Sequence, residues 1–564
     1  MISPTLTLTP SSARNAQILL AIACITWFAV LCFGAYLTPN AFVFGDEAGY
    51  LLPILYGSHA DNYQRWSILT PYPDYLYFWI YSFLPAGSLH TGAKVLNAGF
   101  IAATAIPAYA VGRRYLTVPI AAAFAAVVML SPISSFVRYV MPEPVYFFGF
   151  WLVVLVVLSA LDKSPTVSAA TGGALIGILS LIKPHALALT LGGCLFFLLR
   201  NRLRVRGVIA AVALFLAYYI VRTAFAYLLT GKWIWSVTGS AYAGMLAGYH
   251  VDFLATAYNL MGHVNAIVAL IAVPLAITLL AVVRRQFLHT REIDNPAIQH
   301  LLDLGLFACC MLVAMVMMTV YFSQSVYQVS PDTEHITRLH GRYYVYVFPL
   351  FVLVTIGLWQ NGVEPSTILP RRAALFLCSA MIMSAAVIFF MFETSFVDYP
   401  DLALTSHGRL FVTMLPLAGV LVLSCYDKTR VGTTGVIVSA MIWWAGLGLL
   451  TSVSAIVIGP FTNSFALRGP VDAAFFDTVH SNGLHRLVGR SDGIIIGSPT
   501  SAVDVYRAMF YLRSMSAGRI VLPGTEIRDD DLPKDVHWAV ILPEVNYIGS
   551  SRLTHEGSLS VVWR

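Results

Sequence analysis

Long apolar runs dominate this sequence of 564 residues and restrict the folds that are open to it. A run of about 20 apolar residues spans the hydrocarbon core of a bilayer, and the first such run lies at 18–37. Charged residues make up only 11% of the chain and hydrophobic residues 58%, whereas a soluble protein carries about a quarter charged residues. The sequence therefore predicts a mainly α-helical, polytopic membrane protein.

The apolar runs predict about thirteen transmembrane helices. They lie at 18–37, 91–111, 118–134, 143–161, 167–182, 185–199, 207–228, 264–283, 300–322, 343–359, 373–391, 410–426 and 433–458. No small-residue cleavage site follows the first run, so it is expected to remain as a helix. After a membrane domain at 1–459, the segment 460–564 has ordinary charge and alternating helix and strand patterns, which predicts a small α/β domain.

Basic residues in the short loops predict the orientation in the membrane, because cytoplasmic loops are enriched in Lys and Arg. One set of alternate loops and termini holds most of them: Arg14, Arg113, Arg114, Lys163, Arg200, Arg202, Arg204, Arg206, Arg284, Arg285, Arg291, Arg371, Arg372, Lys428 and Arg430. The N-terminus is therefore predicted to be cytoplasmic, and an odd number of spans places the C-terminal domain on the external side of the membrane. The long loops 38–90 and 229–263 lie on that external side, where function is expected.

Composition excludes some classes of function. The formal net charge of +6 comes from the short basic loops, so it does not indicate nucleic acid binding. All seven cysteines lie inside apolar runs. Their placement suits neither a disulfide framework nor a metal site, and we expect them to be packing residues.

Two adjacent carboxylates, Asp46 and Glu47, follow shortly after the first span in the sequence VFGDEAGY. In a chain with so few charges, their position just outside the membrane suggests a catalytic centre. The alternative is that they cap a short surface helix, since acids favour a helix N-terminus.

Further polar residues lie at the predicted outer ends of spans, where ionisable groups are costly and often mark a site. They are Arg138, Glu143, Lys183, His185, His340, Arg342, Tyr344, His407 and Arg409. Each cation taken alone could instead extend to the lipid headgroups, and Glu143 could cap its helix. Together they suit an anionic lipid: Arg and Lys bind phosphate, a carboxylate accepts a proton from a hydroxyl, and aromatic faces suit sugars and isoprenoid chains.

The order of these motifs resembles the GT-C superfamily of membrane glycosyltransferases, which use polyprenyl-phosphate sugars. The acidic pair follows the first span, a second acid (Glu143) opens the fourth, and the turn LIKPHAL with Lys183 looks like the TKGP-type turn of aminoarabinose and protein mannosyl transferases. The element GRYYVYVFP with Arg342 looks like another recurrent piece of these enzymes. The C-terminal α/β segment is loosely similar to that of bacterial arabinofuranosyl transferases. The turn departs from the pattern in reading KPH, which leaves His185 as an extra group.

The resemblance implies an inverting hexosyl- or pentosyltransferase in which Asp46 is the general base. Glu47 or Glu143 would orient the acceptor or help to hold a cation. Lys183, Arg138 and Arg342 would bind the donor phosphate, with the nearby side chains of His185 and Tyr344. The remaining candidates, for the acceptor side, are His340, His407 and Arg409.

No cofactor is required by this chemistry, although a divalent cation at Asp46, Glu47 and His185 stays open. The expected partners are a polyprenyl-phosphate-linked sugar, a cell-envelope glycan, lipid or protein as acceptor, and the membrane lipids. The alternatives are a flippase or transporter of lipid-linked sugars, which would carry repeats and midplane charges, and an O-antigen ligase or polymerase. The sequence does not identify the sugar, the acceptor or the oligomeric state.

Overall fold

A computed structural model defines the fold over most of the membrane region and part of the C-terminal segment. It describes residues 10–37, 47, 50, 51, 54, 73–85, 88–161, 164–237, 250–288, 296–329, 335–363, 365–394, 398, 493–497, 517–520, 524–532, 534, 536–542, 545–556 and 559–563.

Thirteen α-helices lie in the described part of the membrane region. They are α1 (Pro10–Leu37), α2 (Tyr75–Tyr81), α3 (Leu89–Gly112), α4 (Val118–Met129), α5 (Glu143–Leu161), α6 (Pro165–Leu179), α7 (Ala186–Arg200), α8 (Val205–Thr230), α9 (Phe253–Val283), α10 (Pro296–Val329), α11 (Phe348–Gln360), α12 (Pro365–Ile368) and α13 (Arg371–Met391). Short 3₁₀ turns occupy Pro132–Arg138, Gly341–Tyr343 and Val345–Val347, and a π-helical turn occupies Arg284–Leu288.

Each predicted span from 18–37 to 373–391 overlaps one of these helices, although several bounds differ. Seven described helices are long and apolar enough to cross a membrane, and α4 with the 3₁₀ turn Pro132–Arg138, bent by 44°, would make an eighth. The helices α6 and α7 and the segment Val345–Gln360 are apolar but shorter. The chain is therefore a mainly α-helical, multi-pass membrane protein. The last two predicted spans, 410–426 and 433–458, lie outside the described residues, so the number thirteen for the spans stays a prediction.

Small residues allow the helices around the α6–α7 turn to pack closely. A methyl group added at Gly173 of α6 would lie 2.2 Å from the carbonyl oxygen of Leu214 on α8, and one at Gly177 would lie 2.6 Å from that of Tyr218. Glycine at such contacts lets two membrane helices approach each other closely. The close packing of α6 on α8 fixes the end of α6, which leads directly into the turn that carries Lys183.

An ion-pair network ties three elements together at the opposite end of α7. Asp303 of α10 is 2% exposed; its Oδ2 lies 2.9 Å from Nη2 of Arg200, and its Oδ1 lies 2.6 Å from Nη1 of Arg285. Two cations satisfy the buried carboxylate, as a charge in this position requires. The network lies on the side that the basic loops predict to be cytoplasmic.

The described part of the C-terminal segment forms two β-sheets. The strands are β1 (Gly493–Gly497), β2 (Ala517–Ile520), β3 (Glu526–Ile527), β4 (Trp538–Ile541), β5 (Asn546–Tyr547), β6 (Arg552–Glu556) and β7 (Leu559–Trp563). A five-stranded sheet has the order β2-β1-β4-β7-β6, in which β1 pairs in parallel with β2 and β4. The patterns GIIIGSP, GRIVLPG, HWAVILPE and LSVVWR predict strands, and β1, β2, β4 and β7 overlap these four stretches. The two helices that the sequence also predicts in this segment lie outside the described residues.

Candidate active site

A buried ion pair between Lys183 and Glu143 lies at the centre of the candidate site. Lys183 sits in the turn between α6 and α7, and Glu143 is the first residue of α5. The Lys183 Nζ lies 2.5 Å from Oε1 of Glu143, and the two residues are 4% and 1% exposed. The Nε of Arg342 lies 4.0 Å from the same oxygen. Two cations therefore face one carboxylate at the ends of three packed elements.

The ring of Tyr343 lies beneath these two cations. The Lys183 Nζ is 4.8 Å from the ring centroid and the Arg342 Cζ is 5.1 Å from it. The Arg342 Nη2 also donates a hydrogen bond to the Tyr343 hydroxyl at 3.1 Å. The imidazole of His185 stacks on the Tyr343 ring, with centroids 4.1 Å apart and planes 15° apart. Positive charge next to an aromatic face is favourable, so the ring helps to hold both cations in place.

Asp398 anchors the segment that carries Arg342. It is 1% exposed and accepts from Arg338, whose Nη2 lies 2.7 Å away, while Nδ1 of His340 lies 3.3 Å from its other oxygen. The backbone N–H of Arg342 donates to the Asp398 carbonyl at 2.8 Å. Burial alone would raise the pKa of Asp398, but the hydrogen bond and charge of His340 and the charges of Arg342 and Arg338 hold it well below its usual range. Sequence reasoning missed this residue, which follows the last described helix.

Asp74 is a second carboxylate that sequence reasoning missed. It precedes α2, whose first turn docks on the Lys183 turn: the N–H of Leu76 donates to the carbonyl of Leu181 at 2.9 Å. Asp74 is 0% exposed, and its carboxyl oxygens have no hydrogen-bond partner among the described residues. Burial raises its pKa well above the usual value; the charge of Lys183 opposes that shift and the charge of Glu143 adds to it. Its one sequence signal is a lone acid in the aromatic stretch TPYPDYLYFW.

Replacing Asp74 by Leu is expected to stabilise the fold and to impair function. An unsatisfied buried polar group costs about 1–3 kcal/mol, which the apolar side chain removes. Because the folded-state pKa is raised, the folded protein binds more protons than the unfolded one above the unfolded-state pKa of about 3.9, and wild-type stability falls as the pH rises from there. The advantage of Asp74→Leu should therefore grow from pH 4 to pH 8 in thermal unfolding. A loss of stability at every pH would contradict the interpretation that the Asp74 carboxyl group is buried without a hydrogen-bond partner.

Glu47 and Arg138 form a second group around residues 139–140. The Oε1 of Glu47 accepts a hydrogen bond from the backbone N–H of Val140 at 2.8 Å and lies 3.5 Å from Nε2 of His90. Glu47 is 0% exposed. The Arg138 guanidinium carbon lies 5.4 Å from the centroid of the Tyr139 ring. Glu47 therefore joins the segment after α1 to the segment before α5, which is a positioning contact.

The structure brings together Glu143, Lys183, His185 and Arg342, and it places His340 beside them, with its ring centroid 6.0 Å from that of Tyr343. Tyr344 takes another position: its hydroxyl lies 2.9 Å from Nδ1 of His263 on α9. The neighbouring Tyr343, which sequence reasoning did not select, contacts the cations instead. The candidates Asp46, His407 and Arg409 lie outside the described residues.

No group of three or more His, Cys, Asp or Glu residues within the described ranges could hold a metal ion. The proposed ligand Asp46 lies outside those ranges, so the divalent cation stays a prediction.

The described geometry has a clear chemical capability. Lys183 and Arg342 present hydrogen-bond donors and positive charge from turns between apolar helices, next to an aromatic ring. Such an arrangement can bind a phosphate group, with Arg acting as a planar fork and Lys as a point charge. A buried site of this kind in a multi-pass membrane protein suits a ligand with an anionic head and an apolar chain.

Comparison with known proteins gave matches only among solved structures: no family model matches the sequence, and no curated protein matches it. The crystal structure of ArnT from Cupriavidus metallidurans in the apo state is similar with 12% identity and a TM-score of 0.41, over 98% of each chain. The cryo-electron microscopy structure of the arabinosyltransferase EmbB from Mycobacterium smegmatis is similar with 13% identity and a TM-score of 0.38, over 80% of this chain and 42% of that chain.

Proposed function

We propose that this protein is a GT-C-type glycosyltransferase that transfers a hexose or pentose from a polyprenyl-phosphate donor to an acceptor hydroxyl. The observation that carries the proposal is the buried group of Lys183, Glu143 and Arg342 on the ring of Tyr343. These residues belong to the motifs in which the sequence resembles the superfamily.

The donor phosphate binds between Lys183 and Arg342, in place of part of the contact that both now make with Glu143. The bond between the sugar C1 and the phosphate oxygen breaks, and the acceptor oxygen forms a new bond to C1. The lipid phosphate leaves with the bonding electron pair, and the two cations stabilise its charge. The acceptor proton passes to a carboxylate, for which Asp46 is the sequence candidate. A single displacement of this kind inverts the configuration at C1.

Reaction on the periplasmic face of the inner membrane is part of the proposal. Lys183 lies at the start of α7, whereas Arg200, at its far end, belongs to the network around Asp303. The group of basic residues that predicts the cytoplasmic side thus lies at the end of α7 that is remote from the candidate site. This arrangement supports an external site.

The position of the charges favours transfer over transport. A transporter of lipid-linked sugars would hold its binding residues at broken helices near the bilayer midplane. Here Glu143 begins α5, and Lys183 and Arg342 lie in a turn and a 3₁₀ turn between helices.

The test is binding and turnover in nanodiscs. The purified protein is expected to bind undecaprenyl phosphate but not undecaprenol, and to release polyprenyl phosphate from one member of a panel of polyprenyl-phosphate hexoses and pentoses. Arg342→Gln should weaken phosphate binding about tenfold or more, the usual loss for a charge-assisted contact. The matched control is Arg372→Gln, an exposed cation at the start of α13. Equal affinity for the phosphate and the alcohol would contradict the proposal.

A further inference from the structure

A groove between α1 and α3 is separate from the candidate active site. Its volume is about 640 Å³, which is within the range of about 300–1,000 Å³ for ligand sites. Leu20, Cys24 and Phe28 form one wall, and Gly99 and Ala103 are among the small residues of the other. Small side chains on α3 opposite large ones on α1 create the depth of the groove.

One end of the groove is polar and the rest is apolar. At that end the Gln17 Nε2 donates a hydrogen bond to the Tyr109 hydroxyl at 2.9 Å. Arg14 precedes Gln17 by one helical turn, and Arg113 follows Tyr109 by one turn, so each lies on the same face as its neighbour. Because α1 and α3 run in opposite directions at this contact, both arginines lie at the same end of the groove, where Nη1 of Arg113 donates a hydrogen bond to the carbonyl of Leu116 at 2.8 Å. Both are exposed, and the sequence has no acid in 1–45 or 75–142.

The length of the groove fits one leaflet of a bilayer. Gln17 and Phe28 are eleven residues apart in α1, which corresponds to about 16 Å at a rise of about 1.5 Å per residue. Half of a hydrocarbon core of about 30 Å is similar. An acyl chain of a phospholipid matches this depth, whereas a polyprenyl chain is longer than one leaflet.

We propose that the groove binds an anionic phospholipid, with one acyl chain between α1 and α3 and the phosphate at Arg14 and Arg113. Basic residues at the end of a cleft between membrane helices favour anionic headgroups. The Gln17–Tyr109 pair lies where the chain meets the headgroup, which is where Tyr is enriched in membrane proteins. This site does not depend on the proposed transferase activity.

Native mass spectrometry of the full-length protein, delipidated in an uncharged detergent, tests the proposal. Phosphatidylglycerol is expected to bind more tightly than phosphatidylcholine with the same acyl chains. Arg14→Gln combined with Arg113→Gln should weaken phosphatidylglycerol binding about tenfold or more, since each Lys or Arg near an anionic lipid contributes roughly a fivefold effect. Binding of phosphatidylcholine should not change. The control Arg372→Gln, on another helix, should leave both affinities unchanged.

A second variant keeps the test independent of charge. Ala103→Phe places a ring in the groove and should lower the affinity for both lipids while the protein stays folded by circular dichroism. Equal binding of the two lipids by the wild type, or unchanged phosphatidylglycerol binding in the double arginine variant, would overturn the proposal. If lipid-free Ala103→Phe is less stable than the wild type and the wild type shows no preference for anionic lipid, another part of the chain fills the groove. That result would also overturn the proposal.

Discussion

Lys183→Met is expected to destabilise the protein by about 3–5 kcal/mol and to abolish most donor binding. Removing one partner of a buried ion pair typically costs this much. Glu143 is 1% exposed and would keep only the more distant Arg342, whose Nε lies 4.0 Å from its Oε1. Loss of a charge-assisted contact to phosphate typically costs about 1.5–3 kcal/mol, or roughly tenfold to over a hundredfold in affinity. Thermal unfolding and binding of undecaprenyl phosphate measure the two effects separately. Because its Nζ lies 2.5 Å from Oε1 of Glu143, Lys183 contributes to folding as well as to donor binding.

The double variant Lys183→Met with Glu143→Gln separates stability from function. It removes both charges, so most of the lost stability should return, while donor binding stays weak because the phosphate still lacks Lys183. Arg342→Lys is a further matched variant that keeps the charge and loses the planar fork. Unchanged donor binding in Lys183→Met would mean that Lys183 only balances Glu143.

Asp46→Asn is expected to lower turnover by about 10²–10⁴-fold, the usual contribution of a general base. Asparagine keeps the size and much of the hydrogen bonding of the carboxylate but does not take the proton of the acceptor hydroxyl. The purified variant should stay folded and bind donor normally. The measurement is the transfer rate from a lipid-linked sugar to its acceptor. Full activity in this variant would exclude Asp46 as the base and direct attention to Asp74.

Glu47→Gln is the control for that experiment. The Glu47 carboxylate accepts the backbone N–H of Val140 at 2.8 Å, and a glutamine oxygen can accept the same bond. We therefore expect a smaller loss of turnover than in Asp46→Asn. Glu47→Ala should cost stability as well, since it leaves the buried N–H without its acceptor. If Glu47→Gln alone were inactive, the roles of the two acids would be exchanged.

The membrane helices follow closely from the sequence, because lipid requires every backbone polar group to be satisfied within its own helix. An apolar run such as 264–283 therefore specifies a helix, and the structure has α9 at Phe253–Val283. The predicted and observed bounds differ most at the ends of the helices. The predicted span 118–134 became α4, which ends at Met129, and a separate 3₁₀ turn that begins at Pro132.

The individual residues of the candidate site were also visible in the sequence, since charges at helix ends stand out in a chain with 11% charged residues. Lys183, Glu143 and Arg342 were each identified by that signal. Their direct contact was not determined, because nothing local specifies which helix ends meet. Asp74 could not be identified in its aromatic segment, because its burial also depends on a contact that nothing local specifies. It is buried by the docking of α2 on the Lys183 turn, where the N–H of Leu76 donates to the carbonyl of Leu181.

What the sequence determined by itself is thus the class of protein, the helices and the types of residue available for chemistry, since these depend on local composition and period. The tertiary structure alone decided which partners those residues have. It paired Lys183 with Glu143, 40 positions apart, it placed Tyr343 rather than Tyr344 under the cations, and it fixed Arg342 through Asp398. Such contacts join residues that are remote in sequence, and only the packing of helix against helix brings them within hydrogen-bond distance.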